Sequence, residues 1–315
     1  MMVSKEKLID KLVFEKSSKQ DYSQYFELFS KCFPHFQSSK EWFNWFNLKN
    51  PLGENRNYVI YDKDETIGML GALPIKVKLN DKIVNGILLT NGAIDPKYKG
   101  NNLFVKLEQF LLEEEKKIGT SIMLGIPNKN IYRSHLRAGM KVFANLDFIG
   151  KIKFENRKHN CVKINSFNDN FEKIKDKISK KANFIVCKDS KFLNWRYFQR
   201  PDKEYLIYAT FDGNTPKGWI VVKQFDDNGY LKTHIVDIAA VDFEAFKNLI
   251  NQAEQLATNR HELNLWQIDN SLYYDWFKDM GFILTLNKNV LIYQGLKPKL
   301  KKSNWWYSLG DNDVY

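Results

Sequence analysis

The chain has 315 residues, 43% hydrophobic and 15% aromatic, with 48 Lys and Arg against 37 Asp and Glu for a net charge of +11. That length favours two domains over a single core, and the apolar content excludes a largely disordered chain. The basic balance attracts anionic partners in general, but no arginine-rich or recognised nucleic-acid motif accompanies it, which argues against nucleic acid.

The opening "MMVSKEKLIDKLVF" has charges every few residues and no apolar run fit for a signal peptide. No later window approaches the ~18 uninterrupted apolar residues of a membrane span, so a cytoplasmic protein without membrane insertion is expected. Cys32, Cys161 and Cys187 give neither a disulfide framework nor metal-ligand spacing, and no metal is expected. Next come "NWFNLKNP" (Asn44–Pro51), a short strand at Tyr58–Tyr61, a second strand "IGMLGAL" and a third ending in "GAIDP". After a lysine-rich loop, Leu103, Leu107, Phe110 and Leu111 form the apolar stripe of a helix with a charged back at Glu114–Lys117. A strand "SIMLGIPN" and a short helix ending in Gly139-Met140 follow.

In "FEKIKDKISKK" (171–181), Phe171, Ile174 and Ile178 share one helical stripe, leaving the lysines as its solvated face. Then the order recurs. "NWRYFQRP" repeats Asn-Trp-x5-Pro 150 residues after its first occurrence, followed by strands at Tyr205–Tyr208, "KGWIVVKQF" and "VDIAAV". A helix carrying Phe243, Phe246, Leu249, Ile250, Ala253 and Leu256 leads to "ELNLWQIDN" and a turn at Gly281-Phe282. The spacing from Asn128 to Gly139 and from Asn270 to Gly281 is 11 positions in both halves. The expectation is an α/β fold of two similar modules, 1–155 and 156–315, joined around 155–190, each a mixed, mostly antiparallel sheet flanked by helices.

Between third strand and helix, "IDPKYKGNNLF" is the segment most suited to chemistry. Backbone N–H groups left unpaired where a loop enters a helix form an anion site. Gly100 permits conformations closed to other residues, Asn101 and Asn102 tolerate the left-handed region, and Lys97 and Lys99 add positive charge. A pyrophosphate suits such a site.

"AIDPKYKGNNLFVKLEQFLL" resembles the acyl-CoA-binding segment of the GNAT superfamily, the Gcn5-related N-acetyltransferases, in which Arg/Gln-x-x-Gly-x-Gly/Ala opens a helix. Gly100 stands at the first glycine, Lys99 near the position often held by arginine, and Asn102 departs from the pattern at the second glycine. The resemblance implies that the amides of Lys99, Gly100, Asn101, Asn102, Leu103 and Phe104 cradle the pyrophosphate of acetyl-CoA or another acyl-CoA. It also implies that the backbone around Ile94 pairs with the pantetheine arm. "NKNIYRSHLRAGM" resembles the family's Asn-x-x-Ala-x-x-x-Tyr-x-x-x-Gly-Phe: Asn128 matches, and the tyrosine that often protonates the leaving thiolate falls on His135. An imidazolium can serve as that donor, with Tyr132 a second candidate on the same helical face, or His135 simply packs or caps. The second half has "IAAVDFEAF" in place of the loop and Phe277 in place of His135, and is expected to have no cofactor site.

The closing "NWWYSLGDNDVY" puts Asp311 and Asp313 after aromatics, a combination able to seat an amine or sugar, or else to form a terminal strand with a polar tail. Similar closing segments occur in duplicated GNAT proteins associated with bacterial surface-polysaccharide synthesis, which makes an amino sugar, free or nucleotide-linked, the preferred acceptor. The resemblance thus implies an acyl-CoA-dependent N-acyltransferase acting on a small-molecule amine. The alternatives are a Fem-type aminoacyl-tRNA-dependent transferase and a non-catalytic binding protein for acyl-CoA or a sugar. The sequence carries no signal of oligomeric state.

Overall fold

The computed structural model describes residues 11–17, 23–34, 39–268, 271–295 and 303–313, with the backbone alone for 286–288. Asn270, one anchor of the repeat, lies outside the described residues, as do the chain's first ten. The chain divides into two compact units, Met1–Ile75 with Asn85–Phe143 and Leu291–Lys297, and Lys76–Val84 with Ala144–Val290 and Pro298–Tyr315. Both are discontinuous, so they do not follow the expected single cut at 155.

Unit 1 begins with β1 (Val13–Lys16), α1 (Ser23–Cys32) and α2 (Lys40–Leu48). Helix α2 forms because Ser39 caps it, accepting the Trp42 N–H at 3.1 Å, and because Trp42, Phe43, Trp45 and Phe46 give it a continuous apolar face. Trp42 stacks on Phe46 and packs against Phe29 of α1. Strands β2 (Arg56–Asp62), β3 (Glu65–Leu79) and β4 (Lys82–Ile94) follow, then α3 (Leu103–Lys117), β5 (Ile122–Gly125) and α4 (Tyr132–Ala138). β1 and β2, and β2 and β3, pair antiparallel, whereas β4 and β5 pair parallel across the α3 crossover.

The chain then continues through β6 (Lys141–Lys151), β7 (Val162–Lys163), α5 (Glu172–Lys181), β8 (Phe184–Val186) and α6 (Ser190–Leu193). Next are β9 (Leu206–Asp212), β10 (Thr215–Asp227), β11 (Tyr230–Ala240), α7 (Phe243–Ala257), β12 (Glu262–Gln267), α8 (Tyr274–Asp279), β13 (Ile283–Gly295) and β14 (Trp305–Trp306). In unit 2, β9, β10 and β11 are antiparallel neighbours, and β11 and β12 pair parallel across the α7 crossover. Each unit is therefore a mixed α/β sheet flanked by helices.

The antiparallel neighbour of β5 is the end of β13, with Ile292 opposite Gly125, whereas the antiparallel neighbour of β12 is β6, with Lys151 opposite Leu263. This crossing of strands is why the units divide at 143 and 290 rather than at 155. The Asn-Trp motifs share a buried tryptophan, Trp45 and Trp195, but their asparagines differ. Asn44 is exposed, whereas Asn194 clamps the Phe167 backbone, donating to its C=O at 2.7 Å and accepting its N–H at 2.8 Å.

Candidate active site

The parallel ladder in unit 1 is short. Gly86, Ile87 and Leu88 face Ile122, Met123 and Leu124; beyond Leu88 no pairing with β5 continues, while β4 runs on to Ile94. Asn91 breaks the strand's alternation with φ 51°, and its buried Nδ2 has no hydrogen-bond partner among the described residues. Where the ladder stops, a cavity of about 560 Å³ opens, walled by Gly92, Ala93 and Ile94 of β4 and, across from them, Asn128, Ile131, Ser134 and Arg137. Its remaining walls include Lys99, Gly100 and Asn102 of the loop, Leu103, Phe104 and Val105 of α3, and Cys32 and Phe33 at the end of α1.

The loop is held from below. Asp95 accepts the Lys97 N–H at 2.9 Å, capping a 3₁₀ turn over Pro96–Tyr98, and pairs with Lys31 of α1. Burial would raise the Asp95 carboxyl, but the hydrogen bonds from Lys31 and the Lys97 N–H outweigh it and hold the group below its ordinary 3.8. Tyr98 donates to Asp62 at 2.7 Å, and that hydrogen bond, with burial, pushes the phenol up to about 12. The loop is thus anchored to α1 and to the end of β2.

Above these anchors the backbone turns left-handed twice, at Gly100 (φ 86°) and Asn102 (φ 59°). Asparagine tolerates this region better than other side-chain-bearing residues, which suits Asn102 to a conformation that glycine adopts freely. Asn102 makes no side-chain cap to α3, and the first backbone bond into the helix is from the Lys106 N–H to the Asn102 C=O at 3.2 Å. The first-turn amides of Leu103, Phe104 and Val105 therefore stay uncapped beside the cavity, an arrangement suited to an anion. The Lys99 N–H is committed to the Pro96 C=O at 3.3 Å, so the expected cradle starts at Gly100 rather than Lys99. Lys99 and Arg137 add the charge. A neighbouring depression lined by Glu27, Asp64, Glu65 and Asp95 has the opposite sign and does not suit a phosphate.

Of the remaining expected residues, Ile94 and Asn128 line the cavity. The Asn128 side chain accepts the Asn130 and Ile131 N–H groups at 2.9 and 3.2 Å and so starts α4. His135 does not line the cavity: its ring is buried against α3, Nδ1 2.6 Å from Glu108 Oε1, with Phe104 edge-on at 5.1 Å. Tyr132 is half-buried and also outside the lining. Asp311, expected to seat an acceptor, is instead buried in unit 2. It accepts the Ser308 N–H at 2.7 Å and pairs with Lys188 at 3.0 Å, because the closing segment turns inward as a capped 3₁₀ turn. Asp313 is half-buried in the same segment. Sequence reasoning missed Asn91, Cys32, Phe33, Ser134 and Arg137. Only Asn91 had a signal, an Asn-Gly pair inside a strand pattern.

Unit 2 repeats the short ladder: Lys232, Thr233 and His234 face Glu262, Leu263 and Asn264, and no further pairing of β11 with β12 follows. There a cavity of about 290 Å³ is lined by Gln267 of β12 and Tyr274 and Lys278 of α8, while the end of β11 and the start of α7 are bonded by the unit's own side chains. Asp242 caps α7 by accepting the Ala245 N–H at 2.9 Å, and the Tyr273 hydroxyl accepts the Ala240 N–H at 3.0 Å and donates to its C=O at 3.2 Å. Among the described residues no cluster has the make-up of a metal site, and no helix is long and apolar enough to cross a membrane.

Residues 14–135 match the family model of an acetyltransferase (GNAT) domain. Among solved structures, the chain is similar to a GCN5-related N-acetyltransferase from Anabaena variabilis, with a TM-score of 0.72 at 15% identity over 90% of this chain and 72% of that one. It is also similar to a conserved protein of unknown function from Enterococcus faecalis, with a TM-score of 0.69 at 14% identity over 91% and 73% of the two chains. At such identities the likeness is one of fold: the architecture is GNAT-like. No curated protein matches the chain.

Proposed function

We propose that the protein is an acyl-CoA-dependent N-acyltransferase whose unit 1 binds the thioester and whose unit 2, a diverged copy of the same module, binds none. The observation that carries this reading is the uncapped start of α3 behind two left-handed residues, at the mouth of a cavity bordered by the free edge of β4. The amides from Gly100 to Val105 suit the pyrophosphate, with Lys99 and Arg137 balancing its charge. The edge at Gly92–Ile94 suits the pantetheine arm as an added strand.

Acyl transfer needs a neutral amine, a donor for the developing oxyanion and a proton for the departing thiolate. A backbone N–H at the irregular Asn91–Gly92 step is the candidate oxyanion donor, and His135, close behind the Phe104 wall, the candidate proton donor. The acceptor is a small amine. The preference for an amino sugar, free or nucleotide-linked, rests on the resemblance of the closing segment and gains nothing from the buried Asp311.

Acetyl-CoA should raise the melting temperature of the full chain, and thiol release on mixing acetyl-CoA with a panel of amino sugars and diamines should identify the acceptor. Absence of any melting shift at saturating acetyl-CoA would remove the reading. A shift without thiol release from any amine would favour the non-catalytic binding protein.

A further inference from the structure

Glu108 is fully buried on α3, and its Oε2 has no hydrogen-bond partner among the described residues, while Oε1 meets His135 Nδ1 at 2.6 Å. A half-satisfied buried carboxylate against an imidazole is a poor packing solution, because an apolar pair of similar volume avoids the desolvation of both groups. Unit 2 uses that apolar solution. Counted 142 positions later, Phe104, Glu108 and His135 become Phe246, Ile250 and Phe277. The ring contact persists, since Phe246 meets Phe277 edge-on at 4.8 Å as Phe104 meets His135 at 5.1 Å. Ile250 and Phe277 are completely buried. The polar pair thus stands in the unit whose helix start is uncapped beside its cavity, in contact with Phe104 and next in sequence to Ser134, both of which line that cavity.

We propose that Glu108 is a positioning residue that fixes the proton of neutral His135 on Nδ1, leaving Nε2 to serve the sulfur of coenzyme A. This rests on the acyl-CoA reading above. A carboxylate accepts and cannot donate, so the hydrogen bond it makes with a neutral imidazole selects the Nδ1–H tautomer. During transfer, the amine nitrogen bonds to the acyl carbon and the carbon–sulfur bond breaks, the electron pair leaving on sulfur. His135, charged by the proton that the attacking amine gives up at Nε2, returns it to the thiolate, and the imidazole ends neutral with Glu108 still ionised. The buried carboxylate stabilises the transient imidazolium.

The test uses full-length protein labelled with ¹⁵N-histidine, whose five histidines are told apart by comparison with His135→Phe. Calorimetry first establishes binding of coenzyme A and of desulfo-coenzyme A, which lacks the thiol. The expected spectrum of His135 carries its proton on Nδ1, and its Nε2 signal moves with coenzyme A but not with the desulfo analogue. Glu108→Leu should bind coenzyme A yet lose both the tautomer preference and the thiol-dependent shift. With an amine acceptor in hand, it should lower kcat by about 100-fold while leaving KM for acetyl-CoA in place. Should Glu108→Leu not fold, the wild-type comparison of the two ligands still decides. An Nε2–H tautomer, or identical His135 signals with both ligands bound, overturns the proposal. Failure of coenzyme A to bind at all overturns the acyl-CoA reading itself, a separate outcome.

Discussion

Gly100 and Asn102 solve the same backbone problem by different means. A Cβ on Gly100 would meet nothing within 4 Å, so what requires glycine there is the φ of 86° and the approach of a ligand, not crowding within the protein. A β-branched residue in that region is strained by roughly 1–2 kcal/mol and would swing the neighbouring amides out of line. Gly100→Val should therefore weaken coenzyme A binding by about tenfold or more while the fold persists, and Asn102→Gly should bind as the parent does. Titration calorimetry of the two variants checks both; equal affinity for Gly100→Val and wild type would remove the loop from the site. At this scale the sequence was a fair guide wherever a residue acts through its backbone. It did not reach side-chain direction: Asp311 turns inward to Lys188, and the His135 ring meets Glu108, choices made by tertiary packing that spacing does not encode.

Helix α3 is open at its start and tied down further along. Glu115, buried, accepts from Arg56 Nε and Nη2 at 2.6 Å each, the Tyr58 hydroxyl at 2.8 Å and the Thr120 hydroxyl at 2.5 Å, joining the helix to β2. Burial alone would raise this carboxyl, but Arg56 and Thr120 hold it below its ordinary 4.5. A depressed carboxylate stabilises the fold above its unfolded value and loses that contribution as pH falls through the folded value. Glu115→Gln should thus cost about 2–3 kcal/mol near neutrality, and the gap to wild type should narrow as the pH is taken below the ordinary 4.5 of a glutamate. Urea denaturation across pH 7 to 3 reads this, and a gap that widens on acidification would contradict it. In unit 2 the equivalent helix start is already satisfied by Asp242, so Asp242→Ala should cost about 1 kcal/mol of stability and still create no coenzyme A site, since Tyr273 occupies Ala240. The order of these elements was legible from periodicity and turn residues. That β13 borders β5 and β6 borders β12 was not, because strand order is settled by pairing between distant segments.

The whole molecule places two short parallel ladders in one chain, one followed by an uncapped helix start beside a cavity and one whose strand end and helix start are bonded by Tyr273 and Asp242. The net charge of +11 favours a polyanionic ligand at long range, so coenzyme A affinity should fall as salt is raised from 0.05 to 0.5 M, where the screening length shrinks from roughly 14 to 4 Å. A salt-independent affinity would show that the loop's amides act without help from Lys99, Arg137 and the surrounding field. The number of coenzyme A molecules bound per chain tests the account most directly, measured by titration calorimetry on the full-length protein. One is predicted; none would leave the uncapped start of α3 without its ligand, and two would mean that Asp242 and Tyr273 do not close the second ladder.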